Sequence, residues 1–126
     1  MLEKGLQFIK EVVVKPENLA VAMGSVDLPC LVTPAMVAFM ENAALSAVEN
    51  QPPEGNTTVG AMIQTTHLKP TALGDTVLVT ATLLEVEGRK LTFSVVASDS
   101  QGKIGEGTHI RYVVDRSKFM EKLTSR

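Results

Sequence analysis

The stretch TPAMVAFMENAALSAVEN, Thr33 to Asn50, decides the fold. Thr33 can accept a backbone N–H bond as N-cap, and Pro34 at the first helical position gives up no donor that a helix needs, so a helix is expected to start here. Ala35, Met36, Val37, Ala38, Phe39 and Met40 follow without a break, and Ala43, Ala44, Leu45, Ala47 and Val48 come after two polar residues. A helix this apolar on nearly every side must be buried. At about 100° per residue, Asn42, Ser46, Glu49 and Asn50 fall on one arc, an ordinary wet edge. Glu41 lies off that arc, among Val37, Ala38, Ala44 and Leu45, with Pro34 one turn further back. A lone buried carboxylate costs several kcal/mol or takes up a proton unless donors or a positive partner meet it. Something is therefore expected to face Glu41.

Upstream of the helix, Leu6 to Val14 is rich in β-branched and aromatic residues, and Lys15-Pro16-Glu17-Asn18 supplies a turn before a second apolar run, Leu19 to Met23. That pattern predicts a hairpin. Gly24 to Val32 has no clear period and reads as a connection. Downstream, Gln51 to Asn56 is a loop by composition, and Thr57 to Leu68 predicts a strand. Strict alternation places Val59, Ala61, Ile63, Thr65 and His67 on one face and Thr58, Gly60, Met62, Gln64 and Thr66 on the other. Thr76 to Val86 predicts a long strand with a tip at Glu87-Gly88. Lys90 to Ser98 alternates with Leu91, Phe93, Val95 and Ala97 inward, and Lys103 to Asp115 makes the last strand. Its Gly105 and Gly107 weaken it unless backbone or ligand comes close. Arg116 to Leu123 predicts a short terminal helix.

Composition narrows the function. The 126 residues suit one domain, residues 1–126, with a single core. The net charge of -2, from 12 Lys and Arg against 14 Asp and Glu, comes without long runs, so no basic face advertises nucleic acid. Cys30 is the single cysteine, which leaves no internal disulfide and no reason to invoke an oxidising compartment. No stretch approaches the roughly 18 to 20 apolar residues of a membrane span, and MLEKGLQFIKEVVVK lacks a continuous signal-peptide core. A cytoplasmic location is the expectation.

The order is thus a hairpin, one apolar helix and a meander of long antiparallel strands. A strongly curved sheet wrapping the helix would cover it, an α+β arrangement of the hot-dog kind. Such a sheet leaves its edges and part of the helix exposed, which favours pairing with a second copy. At least a homodimer is expected.

Four groups of residues carry a resemblance to a known family: Thr33-Pro34 followed by Glu41, the strand Thr57-Thr58-Val59-Gly60 ending in His67, the tip Glu87-Gly88-Arg89, and Gly105-Glu106-Gly107-Thr108-His109. Together, over about Val12 to Phe119, they resemble the hot-dog thioesterases of the fluoroacetyl-CoA thioesterase type. The resemblance implies hydrolysis of a small acyl-CoA thioester to free acid and coenzyme A, with catalytic roles for Thr33, Glu41 and His67 and a carbonyl-binding role for Gly60. It implies no cofactor beyond the coenzyme A of the substrate. The fluoroacetyl-specific member closes aromatic side chains over its substrate from the segment before the threonine; Gly24 to Val32 has none, so fluoroacetyl selectivity is not carried over.

Each of these residues also has a plainer reading. Glu41 is either a hydrogen-bonded core residue or a group that attacks the thioester or takes a proton from water. His67 is a half-buried histidine, or it orients Glu41 or gives a proton to the departing sulfur. Thr33 is an N-cap first. His109 is read as structural, because His67, His109 and Glu41 have no recognised ligand spacing for a metal. Met36, Met40 and Met62 are packing material, and Lys69, Arg89, Lys90 and Arg111 are isolated cations that can meet coenzyme A phosphates but more often meet water. The alternatives to hydrolysis are a hot-dog acyl-CoA hydratase or dehydratase, and a non-catalytic acyl-CoA binding or sensing module.

Overall fold

Residues that alternate along three long strands build the sheet on which everything else rests. The computed structural model describes residues 2–126, Met1 lying outside them. Strands β3 (Thr76–Glu87), β4 (Lys90–Asp99) and β5 (Gly102–Asp115) form an antiparallel meander. Val77, Val79, Ala81 and Leu83 of β3 and Leu91, Phe93, Val95 and Ala97 of β4 are fully buried on one face. Gly88, at φ +62°, turns the chain between β3 and β4 as only glycine does cheaply.

The meander ends there. The preceding strand, β2 (Asn56–His67), pairs with β5 rather than β3, and β1 (Gln7–Val13) pairs with β3, so the five strands run in the order β1-β3-β4-β5-β2. The expected N-terminal hairpin is not formed. All of β1 is matched by β3, from Gln7 opposite Thr82 to Val13 opposite Thr76. Pro16–Asn18 makes a single 3-10 turn, and Ala20–Met23 makes a helical turn, α1, closed by Gly24 at φ +71°. A long, already twisted strand offers β1 more hydrogen bonds and more buried surface than a five-residue neighbour.

Helix α2 (Thr33–Val48) lies across the concave face of the sheet. Ala35, Met36, Met40, Ala43, Ala44 and Val48 are buried against it. Its tight approach explains Gly105 of β5, where a Cβ would stand 2.7 Å from the Met36 Sδ and 2.8 Å from the Thr66 carbonyl oxygen. Met36 and Met40 are the expected packing material, but Met62 is 38% exposed.

Coverage of α2 is one-sided. Pro34, Ala38 and Asn42 are exposed, and Val37, Glu41 and Leu45 are half-buried, a row at helical spacing that no element of the same chain covers. Next to it runs β2, a 12-residue strand at the sheet edge, hydrogen-bonded on one side by β5. No helix is long and apolar enough to cross a membrane among the described residues.

Candidate active site

Thr33 and His67 meet at one end of α2. The helix begins one residue earlier than its sequence suggests: Val32 is the cap, and its carbonyl accepts the N–H groups of Ala35 and Met36. Thr33 is therefore already helical, and its hydroxyl caps nothing. Its Oγ1 instead lies 2.8 Å from Nδ1 of His67, at the end of β2. Nε2 of His67 is buried with no hydrogen-bond partner among the described residues, a condition that buried polar atoms rarely keep. A cavity of about 260 Å³ opens beside the pair, with Val26, Cys30, Leu31 and Leu68 in its walls.

Glu41 stands at the middle of α2, eight residues on and about 12 Å from Thr33 at ~1.5 Å per residue. It faces Gly60, where a Cβ would lie 2.9 Å from Glu41 Oε2, 3.3 Å from His109 Cε1 and 3.6 Å from Arg111 Nη1. The missing side chain lets the Glu41 carboxylate come close to the β2 main chain, with the Arg111 guanidinium beside it. A cleft of about 400 Å³ leads to it between α2 and β2, past Ala38, Leu45 and Val59.

Strict alternation cannot put Gly60 on the helix side together with His67, and along β2 the alternation does break. The β2–β5 register shifts between Gly60 and Met62, a bulge at Ala61. Before the bulge Thr58 and Gly60 face α2; after it Thr65 does, its hydroxyl reaching the Met40 Sδ at 3.6 Å, and so does His67. One extra residue thus aims both ends of β2 at the helix, and Val59 does not share the face of His67.

The positive partner of Glu41 is Arg111, with His109 behind it. Arg111 is 6% exposed. Its Nε donates to Thr58 Oγ1 and its Nη2 to the Thr58 carbonyl, both at 2.9 Å, and its Nη1 donates to Nε2 of His109 at 3.2 Å. A guanidinium only donates, so Nε2 of His109 must accept, and its Nδ1–H donates to the Met62 carbonyl at 2.8 Å. His109 is a neutral strut for Arg111. Burial is the main cause that holds its imidazole below the usual range, and the Arg111 charge adds to it while the Met62 hydrogen bond and Glu41 oppose it. Burial also lowers Arg111, against the pull of Glu41. Neither residue stood out in the sequence as part of the site. The signal was present in their phase: His109 and Arg111 alternate with the buried Val113 on β5, so a charge at that position points inward.

His67 is likewise lowered, chiefly by burial. Both imidazoles stay neutral in the fold under conditions where the unfolded chain, with a histidine pKa of about 6.5, takes up protons. Their contribution to stability is complete above about pH 6.5 and is lost as the pH falls through that value toward the lower folded ones. Thermal melts should show Tm dropping with acid from about pH 7.5 to about 5, more steeply for the wild type than for His109→Gln. Identical slopes would mean that His109 is not held neutral.

A sequence model of the fluoroacetyl-CoA-specific thioesterases matches residues 14–117. The chain belongs to that family. The fluoroacetyl-CoA thioesterase of Streptantibioticus cattleyicolor is 42% identical over 88 residues, which are 70% of this chain and 63% of that protein, so less than two thirds of its length is matched. A solved structure of a fluoroacetyl-CoA thioesterase superposes at a TM-score of 0.94 with 33% identity, over 100% of this chain and 98% of that one. A variant of that thioesterase in complex with acetyl-CoA gives 0.93 with 33% identity, over 98% of each chain. A hot-dog-like protein from Thermanaerovibrio acidaminovorans gives 0.91 with 27% identity, over 99% of this chain and 93% of that one. The architecture is the hot-dog fold, α+β, with the curved sheet around α2. Within one chain of this family member, Thr33 and His67 are together at the start of α2, Glu41 and Gly60 are together at its middle, and about two helical turns separate the two pairs.

Proposed function

We propose that this chain hydrolyses a small acyl-CoA thioester, as a homodimer in which Glu41 and Gly60 of one copy complete the site begun by Thr33 and His67 of the other. The observation that carries this reading is the uncovered row on α2, with Glu41 set in it among Pro34, Val37, Ala38 and Leu45. Val37 stands midway between Thr33 and Glu41, and the Ile63–Gln64 bond stands midway between Gly60 and His67. A two-fold axis passing those two points exchanges Thr33 with Glu41 and His67 with Gly60 between the copies, pairs β2 with its own copy edge to edge and covers the apolar row. It also supplies a partner for the orphaned Nε2 of His67. Membership of a thioesterase family and the fluoroacetyl-CoA and acetyl-CoA named for its relatives support a short acyl group. The single free cysteine, Cys30, suits the reducing cytoplasm as the place of action.

The chemistry starts from the Glu41 carboxylate. Either an Oε attacks the thioester carbon, the C–S bond breaks and its electron pair leaves on sulfur, giving a mixed anhydride that water then opens; or the carboxylate takes a proton from the water that attacks. The thiolate leaves easily, since a thiol has a pKa of about 8.5, and His67 with Thr33 is placed to move the proton that the sulfur finally receives. The thioester approaches the Gly60 main chain, which no side chain shields, and Arg111 beside it provides positive charge for the developing oxyanion. No cofactor has a part in this scheme.

Free thiol released from a panel of short acyl-CoA, aryl-CoA and enoyl-CoA thioesters tests the reading. Release from short acyl-CoA is expected; loss of enoyl absorbance without thiol would make the chain a hydratase, and binding without product a sensing module. Gly60→Ala offers a sharper check on the geometry. The new Cβ displaces the flexible end of Glu41 and not the backbone, so the fold should keep its Tm within a few degrees while kcat/KM falls about 100-fold. Unchanged kinetics would remove Gly60 from the carbonyl site.

A further inference from the structure

The bulge that turns Gly60 toward α2 sits where β2 is least supported. Ala61 has no partner in the β2–β5 register, and β2 is the last strand of the sheet, with a neighbour on one side. A bulge interrupts the ladder and leaves the strand locally free to bend. Two side chains of β5 hold it instead. Before Ala61, the Thr58 carbonyl accepts from Arg111 Nη2 at 2.9 Å; after it, the Met62 carbonyl accepts from His109 Nδ1–H at 2.8 Å. The 3.2 Å hydrogen bond from Arg111 Nη1 to His109 Nε2 joins the two. Thr58, Arg111, His109 and Met62 thus form one bracket across the bulge, and Gly60 lies beneath it: a Cβ there would stand 3.3 Å from Cε1 of His109, the carbon between the two ring nitrogens.

The bracket closes in one protonation state only. Nε2 of His109 has to accept and Nδ1 has to donate, which the neutral ring does; the imidazolium carries an N–H at both nitrogens and sets a donor and a positive charge against the guanidinium. The ring is 1% exposed, and Phe93 of β4 covers it with ring centres 6.2 Å apart. β2 presents the Met62 carbonyl, and the titratable and charged groups that face the ring among the described residues are Arg111 on its own strand and Glu41 on α2. Packing alone does not ask for a histidine here, since Val113 fills the next inward place but one along β5. We propose that His109 is a positioning residue for thioester hydrolysis: its neutral ring ties the β2 bulge to Arg111, which fixes the Gly60 main chain and the guanidinium beside Glu41, and protonation opens the bracket. This rests on the thioesterase reading above. Activity is then lost in acid partly through a group that touches no reacting atom.

The test compares the full-length wild type with His109→Gln and His109→Leu. The oxygen and nitrogen of a carboxamide are spaced much like the two ring nitrogens, so glutamine can accept from Arg111 and donate to Met62, and it does not titrate. Leucine fills the core and makes neither bond. At about pH 8, H109L should lose about 30-fold in kcat for acetyl-CoA with KM within about threefold, and H109Q should keep about a third or more of the wild-type kcat. As the pH falls, the ratio of kcat for H109Q to kcat for wild type should rise about threefold through the pH at which the His109 ring titrates by NMR, because Glu41 and His67 act on both proteins alike and cancel. The Gly60 amide signal should show a step at that pH in the wild type and none in H109Q. A flat ratio, or a folded H109L that loses no more kcat than H109Q, overturns the proposal, since a merely structural histidine predicts both. Should H109L fail to fold, the ratio and the amide signal decide. If the wild type cleaves no thioester, the hydrolase reading falls while the Gly60 amide still tests the bracket: a step that tracks His109 upholds it, and a Gly60 signal indifferent to His109 removes it.

Discussion

Glu41→Gln should lower kcat/KM for the best acyl-CoA by about 10³-fold or more and leave the fold intact. The carboxamide has the size and shape of the carboxylate, and it keeps an oxygen near Gly60, so substrate binding changes little and the loss falls on kcat. It lacks the negative charge that either a nucleophile or a base requires. Stability should move by no more than about 1 kcal/mol. Arg111 is held by Thr58 and His109 and not by Glu41, and Glu41 is half-buried at the open side of α2. The measurement is thiol release over a substrate series together with a thermal melt of the same preparation. A variant that keeps a tenth of the wild-type kcat would show that Glu41 is not the group that starts the reaction. One that loses activity together with Tm would show a folding role instead.

The contrast with Arg111 sharpens that expectation. Its guanidinium is buried by strands of its own chain and bonded at three nitrogens, so removing it unfolds a polar network as well as weakening the site. Glu41 is the rarer case, a charge held beside a positive neighbour yet left without a direct hydrogen bond among the described residues. Such a group is available to a ligand.

Much of this was legible in the sequence because it rests on local rules. The run from Ala35 to Val48 has no soluble solution except burial on a sheet, and the phase of Glu41 within it could be read from the helical period alone. Alternation with glycine-containing turns marked β3, β4 and β5 nearly to the residue. What escaped rests on partners distant in the chain or on single-residue irregularities. Lys15 to Asn18 carries ordinary turn residues, and nothing local says that β1 prefers β3 to the apolar run after the turn. The bulge at Ala61 leaves no compositional trace, so the phase of Thr58 and Gly60 was read one face out. Thr33 has the residue type of a cap, but Val32 takes that place, and the hydroxyl is freed for His67. Arg111 sits at a core phase of β5, a violation of pattern of the kind that functional sites produce. His67 was expected to meet Glu41; within one chain Arg111, backed by His109, stands nearest Glu41, while His67 is two helical turns away with Thr33.

That separation leads to the second large effect. Neither Glu41→Gln nor His67→Ala should hydrolyse acyl-CoA at a useful rate as a pure homodimer, but mixing the two should restore activity. If each site takes Glu41 and Gly60 from one copy and Thr33 and His67 from the other, a mixed dimer carries both substitutions in one site and none in the other. Random exchange makes half of the dimers mixed, so an equal mixture should recover about a quarter of the wild-type rate. Recovery should track subunit exchange, rising after mild denaturation and refolding of the mixture and staying absent if the two are combined without exchange. A site contained within one chain predicts no recovery under any protocol, because every copy would carry a damaged site. The chain itself favours the shared arrangement on grounds of distance: about 12 Å of helix separates Thr33 from Glu41, too far for hydrogen-bonded cooperation on one carbonyl. A two-fold axis at Val37 closes that distance without moving the backbone, and it covers the apolar row that α2 otherwise leaves in water.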